Sequence, residues 1–191
     1  MLTSRVHLRS VGAALLALSA AAMVSGCARP SVLRLEQPHL SGPQQRLELR
    51  SEQVYWTGQG PVYRLLAEMP LPGAGTGRPA FLLYLRVTED ANAPAAAAGP
   101  VEVRGFLVQT RGAQAGLTPV VEAGVSGDRP GKKTWKLRVD LRFEDSSRLT
   151  GFLIGDRADW KMTRFETRSH TADVQGLLKG PLPALRPLPQ K

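Results

Sequence analysis

The stretch Trp135-Lys136-Leu137-Arg138-Val139-Asp140-Leu141-Arg142-Phe143-Glu144 decides the fold class. Trp135, Leu137, Val139, Leu141 and Phe143 share one parity, and every residue of the other parity is charged. Successive side chains of an extended strand point to opposite faces, so this pattern puts one face in a core and the other in water. Wound as a helix, the same residues would scatter their charges around the whole circumference. The stretch predicts a half-buried strand.

Outward from it, shorter segments of the same kind recur at 46–50, 54–56, 62–69, 81–87, 101–110, 120–125, 149–154 and 160–167. In the last, Trp160, Met162, Thr163 and Phe165 alternate with Lys161, Arg164 and Glu166, with one slip of register. Gly, Pro, Asp, Asn and Ser cluster between segments, as at 57–61, 70–79 and 126–132. Many short strands with turn signals at this spacing predict an all-β fold, an antiparallel β-sandwich or barrel-like meander. Helical periodicity is confined to the leader, apart from room for a turn or two at 172–179 with Leu177 and Leu178 on its buried side. The Ala-rich run 91–100 reads as a hairpin loop. A faint repeat, Leu85-Arg86-Val87 with Gly105-Phe106-Leu107-Val108 and Leu137-Arg138-Val139 with Gly151-Phe152-Leu153-Ile154, agrees with two hairpins in one sheet system.

The first 26 residues differ in kind. Arg5 and Arg9 form a basic start without acids, Ser10 to Gly26 is uncharged with an apolar heart at 13–24, and small residues precede Cys27. These three zones define a secretory signal peptide. The apolar part is short of the roughly 20 residues a membrane-spanning helix needs. Cys27 is the chain's single cysteine. Val24-Ser25-Gly26-Cys27 resembles the lipobox of bacterial lipoproteins, an aliphatic residue and two small ones before cysteine. The resemblance covers the leader alone. It implies cleavage before Cys27, a diacylglycerol on its sulfur and acylation of the new amino terminus, hence a stable membrane anchor. Ala28 and Arg29, in place of an aspartate after the cysteine, imply delivery to the outer membrane, facing the periplasm.

The expected organisation is a signal peptide at 1–26, lipidated Cys27 with a Pro- and Gly-containing tether at 27–45 that has room for a first strand at its apolar patch Val32-Leu33-Arg34-Leu35, a β-rich domain at 46–179, and a Pro-rich C-terminal tail at 180–191. Four prolines in that tail favour an extended, polyproline-like form. A solvated tail is expected over a docking peptide. The leader carries two of the 25 basic residues and none of the 16 acids, so the remainder keeps a net charge of +7. A basic surface draws polyanions by salt-sensitive forces. For an exported protein these are anionic lipids and acidic envelope components, or another envelope protein, and not nucleic acid.

The residues offer little chemistry. Ser169, His170 and Asp173 are the residue types of a hydrolase triad, but three neighbours in one loop rarely converge as separate elements do, and no G-x-S-x-G elbow exposes a serine. His39 lies in the expected tether. Acids pair at Glu89-Asp90, Glu144-Asp145 and Asp156/Asp159, too few for calcium, and the two remaining histidines lack zinc-ligand spacing. Gly73, Gly75 and Gly77 sit among prolines without the Lys-Ser/Thr of a phosphate loop. No catalytic residue, cofactor or metal is expected. Tyr55-Trp56, Trp135 and Trp160 read as core, with a ligand-lining role as the alternative. The expectation is a non-enzymatic binding or scaffolding domain, and the alternative a carrier holding a lipid or other apolar ligand in a barrel.

Overall fold

The computed structural model describes residues 31–51, 53–70, 80–90, 100–111, 114–128, 130–168, 176 and 179–188. The strands are β1 (Ser31–Glu36), β2 (Arg46–Ser51), β3 (Gln53–Gln59), β4 (Val62–Met69), β5 (Phe81–Glu89), β6 (Pro100–Arg111), β7 (Gln114–Gly127), β8 (Thr134–Phe143), β9 (Arg148–Arg157) and β10 (Ala184–Leu185). Helix α1 (Asp159–Arg168) follows β9.

Strands β3 to β9 form an antiparallel meander that closes on itself. The closing contact is parallel, Tyr55 and Trp56 of β3 beside Asp156 and Arg157 of β9. The result is a seven-stranded barrel. The rest of the β9 edge, Arg148 to Phe152, pairs with β1, which pairs in turn with β2. The apolar patch in the expected tether is therefore a strand of the sheet, so the folded part begins before residue 46, and only residue 52 separates β2 from β3.

The alternation read in 135–143 is realised. Trp135, Leu137, Val139, Leu141 and Phe143 are buried, while Lys136 and Arg142 are exposed. They join Leu33, Leu35, Leu49, Leu65, Met69, Phe81, Leu83, Leu85 and Leu153, all at or near zero exposure, in one cluster that fills the barrel interior. At one end Trp56, Tyr63 and Trp135 pack edge-on or tilted, with ring centres 5.5–6.4 Å apart. Their buried indole N–H groups donate to the Lys133 and Asp128 carbonyls at 3.3 and 3.0 Å, as burial of a polar tip requires. Trp56 and Trp135 are core. Trp160 is not, at 61% exposed.

The expected strand at 160–167 is instead helix α1. Met162 and Phe165, three apart, share a helix face. They pack on the outside of the wall against Leu66, Tyr84 and Phe106, where Tyr84 stacks on both Phe106 and Phe165. This second core explains why β4 to β6 are apolar on both parities, since both faces of that wall are covered. Arg64 donates two bonds to the Glu166 carboxylate at 2.6 and 2.8 Å, and the Tyr84 hydroxyl donates to it at 3.2 Å. Burial first, then the neighbouring carboxylate, pushes the Tyr84 phenol well above its ordinary range. The helix is clamped as well as packed.

The two repeat segments do lie in antiparallel hairpins, β5–β6 and β8–β9. Their registers differ: Leu85 opposes Gly105, whereas Val139 opposes Gly151. The Ala-rich stretch 91–99 lies outside the described residues.

Candidate functional site: a parted wall between two strands

Strand β7 is long and changes partner. Its first half pairs with β6, from Arg111–Gln114 to Phe106–Pro119. Its second half, Val120 to Gly127, pairs with β8. Pro119 has no N–H to donate, so the β6 ladder stops where proline stops it. Val121 is an extra residue between the pairs Val120–Phe143 and Glu122–Arg142, a bulge that turns β7 further from β6. The Glu144 amide donates to the Pro119 carbonyl at 3.0 Å and fixes the bend. Residues 100–105 meanwhile stay beside β5. The wall parts.

The C-terminal segment occupies the gap. β10 lies parallel to β7, with Ala184 and Leu185 beside Glu122 and Ala123, on the edge that β6 has left. The Arg186 amide donates to the Ala123 carbonyl at 2.8 Å. Arg186 pairs with Glu122, which also faces Arg142 at 3.6 Å. From the other bank Arg104, held by Glu102 at 2.6 Å, donates to the Gly180 carbonyl. Gly124 completes the seat. A Cβ there would stand 2.9 Å from Leu188 Cδ2, so the missing side chain leaves the space that Leu188 fills. The expected solvated tail is thus docked through residue 188, although Leu182 and Leu185 stay 58% and 42% exposed.

Docking is incomplete. A cavity of about 440 Å³ remains between wall and segment, lined by Arg104, Pro119, Val120, Val121, Glu144 and Leu182 among others. It lies outside the barrel, and Val121 on its floor is 39% exposed. Such a volume falls within the usual range of small-molecule pockets. What it offers is apolar contact with one arginine and one carboxylate among its lining residues.

Of the acids singled out in the sequence, Glu144 lines this cavity. Cys27, Ser169, His170, Asp173 and the three glycines at 73, 75 and 77 are outside the described residues. His39 approaches Asp145 at 4.0 Å in an exposed pair. Asp159 is bonded by the Thr57 hydroxyl and by Arg157 at 3.4 Å, and Asp156 faces Thr134. Among the described residues no three His, Cys, Asp or Glu side chains group where they could hold a metal ion. No helix among them is long and apolar enough to cross a membrane. The parted wall did leave a mark in the sequence: Pro119 interrupts an otherwise strand-like run, and four prolines close the chain.

No protein-family model, curated protein or solved structure matches this chain.

Proposed function

We propose that the chain is a lipid-anchored envelope protein whose barrel is a non-enzymatic binding module, and that the parted β6–β7 wall is where it binds. One observation carries the reading. The interior is occupied by the chain's own side chains, while the outer wall holds an extended segment by main-chain pairing. A surface that accepts one extended segment suits another, because strand addition draws its affinity from backbone groups common to all sequences. The C-terminal segment is then the resident occupant that a partner's segment displaces. The leader and Cys27 supply the support for anchoring.

A photo-crosslinking residue at Val121 in intact envelopes tests this. The expected product is an adduct with another envelope protein, diminished by excess peptide of residues 179–188. Adducts only to the chain's own C-terminal segment would remove the proposal. So would robust turnover by the purified protein against a hydrolase panel. Incorporation of labelled palmitate, compared with Cys27→Ala, tests the anchor separately.

The volume and apolar floor of the cavity favour a second reading, a carrier that holds an apolar ligand outside the barrel rather than within it. Native mass spectrometry of protein taken from envelopes separates the two. A lipid-sized adduct abolished by Val121→Arg supports the carrier, and the bare chain mass counts against it.

A further inference from the structure

The outer face of β1, β8 and β9 carries an apolar strip that the core does not use. Phe152 is 60% exposed and Val32 39%, and the two are cross-strand partners. In register with them, Arg50 of β2 flanks Val32 and Arg138 of β8 flanks Phe152. The row across four strands therefore reads Arg50, Val32, Phe152, Arg138. The Arg138 guanidinium lies 6.0 Å from the centre of the Phe152 ring, and Arg50 is bonded to Glu48 at 3.1 Å. Partly exposed Ile154 opposes exposed Lys136 in the same two strands, and exposed Arg34 lies two residues along β1 from Val32.

An isolated exposed apolar side chain is ordinary. This one is not isolated, for three apolar groups adjoin and basic residues stand on both sides. An apolar centre with flanking cations is the arrangement that interfacial membrane sites use: rings enter the headgroup layer while Lys and Arg meet phosphates. The position is equally telling. Val32 is five residues from Cys27, a span of at most about 18 Å. An anchor on Cys27 holds this face, and not the far wall, within reach of the bilayer.

We infer that the Val32–Phe152–Ile154 face docks the barrel on the anionic membrane that holds its anchor, with Arg34, Lys136 and Arg138 on lipid phosphates. The inference rests on lipidation of Cys27.

The full chain carrying Phe152→Cys provides the test, since an acylated Cys27 leaves the introduced thiol as the labelling site for an environment-sensitive dye. Labelling of the otherwise unchanged chain, together with failure to incorporate palmitate, would show that the anchor reading has failed. With the anchor present, the protein is reconstituted in vesicles containing spin-labelled lipid. In vesicles of about one-third phosphatidylglycerol, the dye at 152 should shift to the blue and be quenched about twofold more than in phosphatidylcholine alone. A dye placed by Val101→Cys, on an exposed β6 position across the barrel, should show neither change. Lys136→Glu with Arg138→Glu should return the dye at 152 to the Val101 value, with the melting temperature as the check on folding. Equal response at 152 and 101 would overturn the inference while the anchor stands. A blue shift without quenching would mean that protein covers the face, and would overturn it too. Undiminished quenching in the doubly reversed chain would do the same.

Discussion

The barrel wall is discontinuous in two places, and the two are closed in opposite ways. At the first, the β9 edge passes from β1 to β3. Ser31 and Ser51, each 1% exposed, sit at this branch. The Ile154 amide donates to Ser31 Oγ at 2.8 Å, and Ser51 Oγ donates to the Glu68 carbonyl at 2.7 Å. Leu33, Leu35 and Leu49 seal it from within at zero exposure. At the second, between β6 and β7, a Pro-rich segment lies in the gap over a cavity, held by arginines that are partly exposed. Hydroxyls buried in place behave as permanent structure, because each orphaned backbone group would cost desolvation without return. A segment held by a few backbone bonds and screened ion pairs can leave.

The largest expected contrast comes from removing material at each place. Leu33→Ala should cost about 2–5 kcal/mol, as for other fully buried leucines. Ending the chain after Lys179 should cost no more than about 2 kcal/mol, since it removes a few exposed contacts and net hydrogen-bond gains. Urea unfolding of both variants decides it. A truncated chain as unstable as Leu33→Ala would make the segment part of the core.

Single polar groups sharpen the contrast. Ser31→Ala leaves the part-buried Ile154 amide without its hydroxyl acceptor and should cost about 1–3 kcal/mol. Arg104→Ala, whose partners can turn to water, should cost about 1 kcal/mol or less. Hydrogen exchange extends the comparison without mutation. Amides of Leu33 and Leu35 should exchange only with global unfolding, whereas the Arg186 amide should exchange by local opening, orders of magnitude sooner. Matching protection at the two sites would end the distinction.

How much of this the chain declares for itself depends on the range of the interaction. Residues 135–143 announce a strand because their alternation is local and both environments are unambiguous. The β6–β7 opening was half legible: Pro119 marks the end of a ladder, but nothing nearby says that the chain's own terminus fills the space. Helix α1 misleads because its apolar stripe is brief. Met162 and Phe165 bury against an outer wall patch formed by residues some 60 to 100 positions earlier, and without that patch Trp160, Met162 and their neighbours alternate well enough to pass as a strand. The counterpart signal was present in β4 to β6, where Leu65-Leu66-Ala67 and residues 81–85 are apolar on both parities. Two-sided burial is the physical meaning of such runs. Barrel closure is the least legible feature, because it turns on a parallel contact between Tyr55 and Asp156 that no local pattern encodes.

The smallest expected effect lies at the solvent end of the first discontinuity, where β3 and β9 meet. There the Ala158 amide donates to the Trp56 carbonyl at 3.0 Å, and the Thr57 hydroxyl donates to the Asp159 carboxylate. The Thr57 bond, opposed by slight desolvation and helped by Arg157, holds the Asp159 carboxyl below its usual range. A depressed carboxyl stabilises the fold above its unfolded value of about 3.9, and that contribution disappears as pH falls through the folded value. Asp159→Asn should therefore melt slightly below the natural chain at neutral pH, with a gap that is constant from about pH 5 to 8 and closes as pH falls through the lowered value of the folded carboxyl. A gap of the same size at both extremes would assign Asp159 a role in shape rather than charge, and this end of the closure would then rest on the β3–β9 pairing and the Ala158–Trp56 bond.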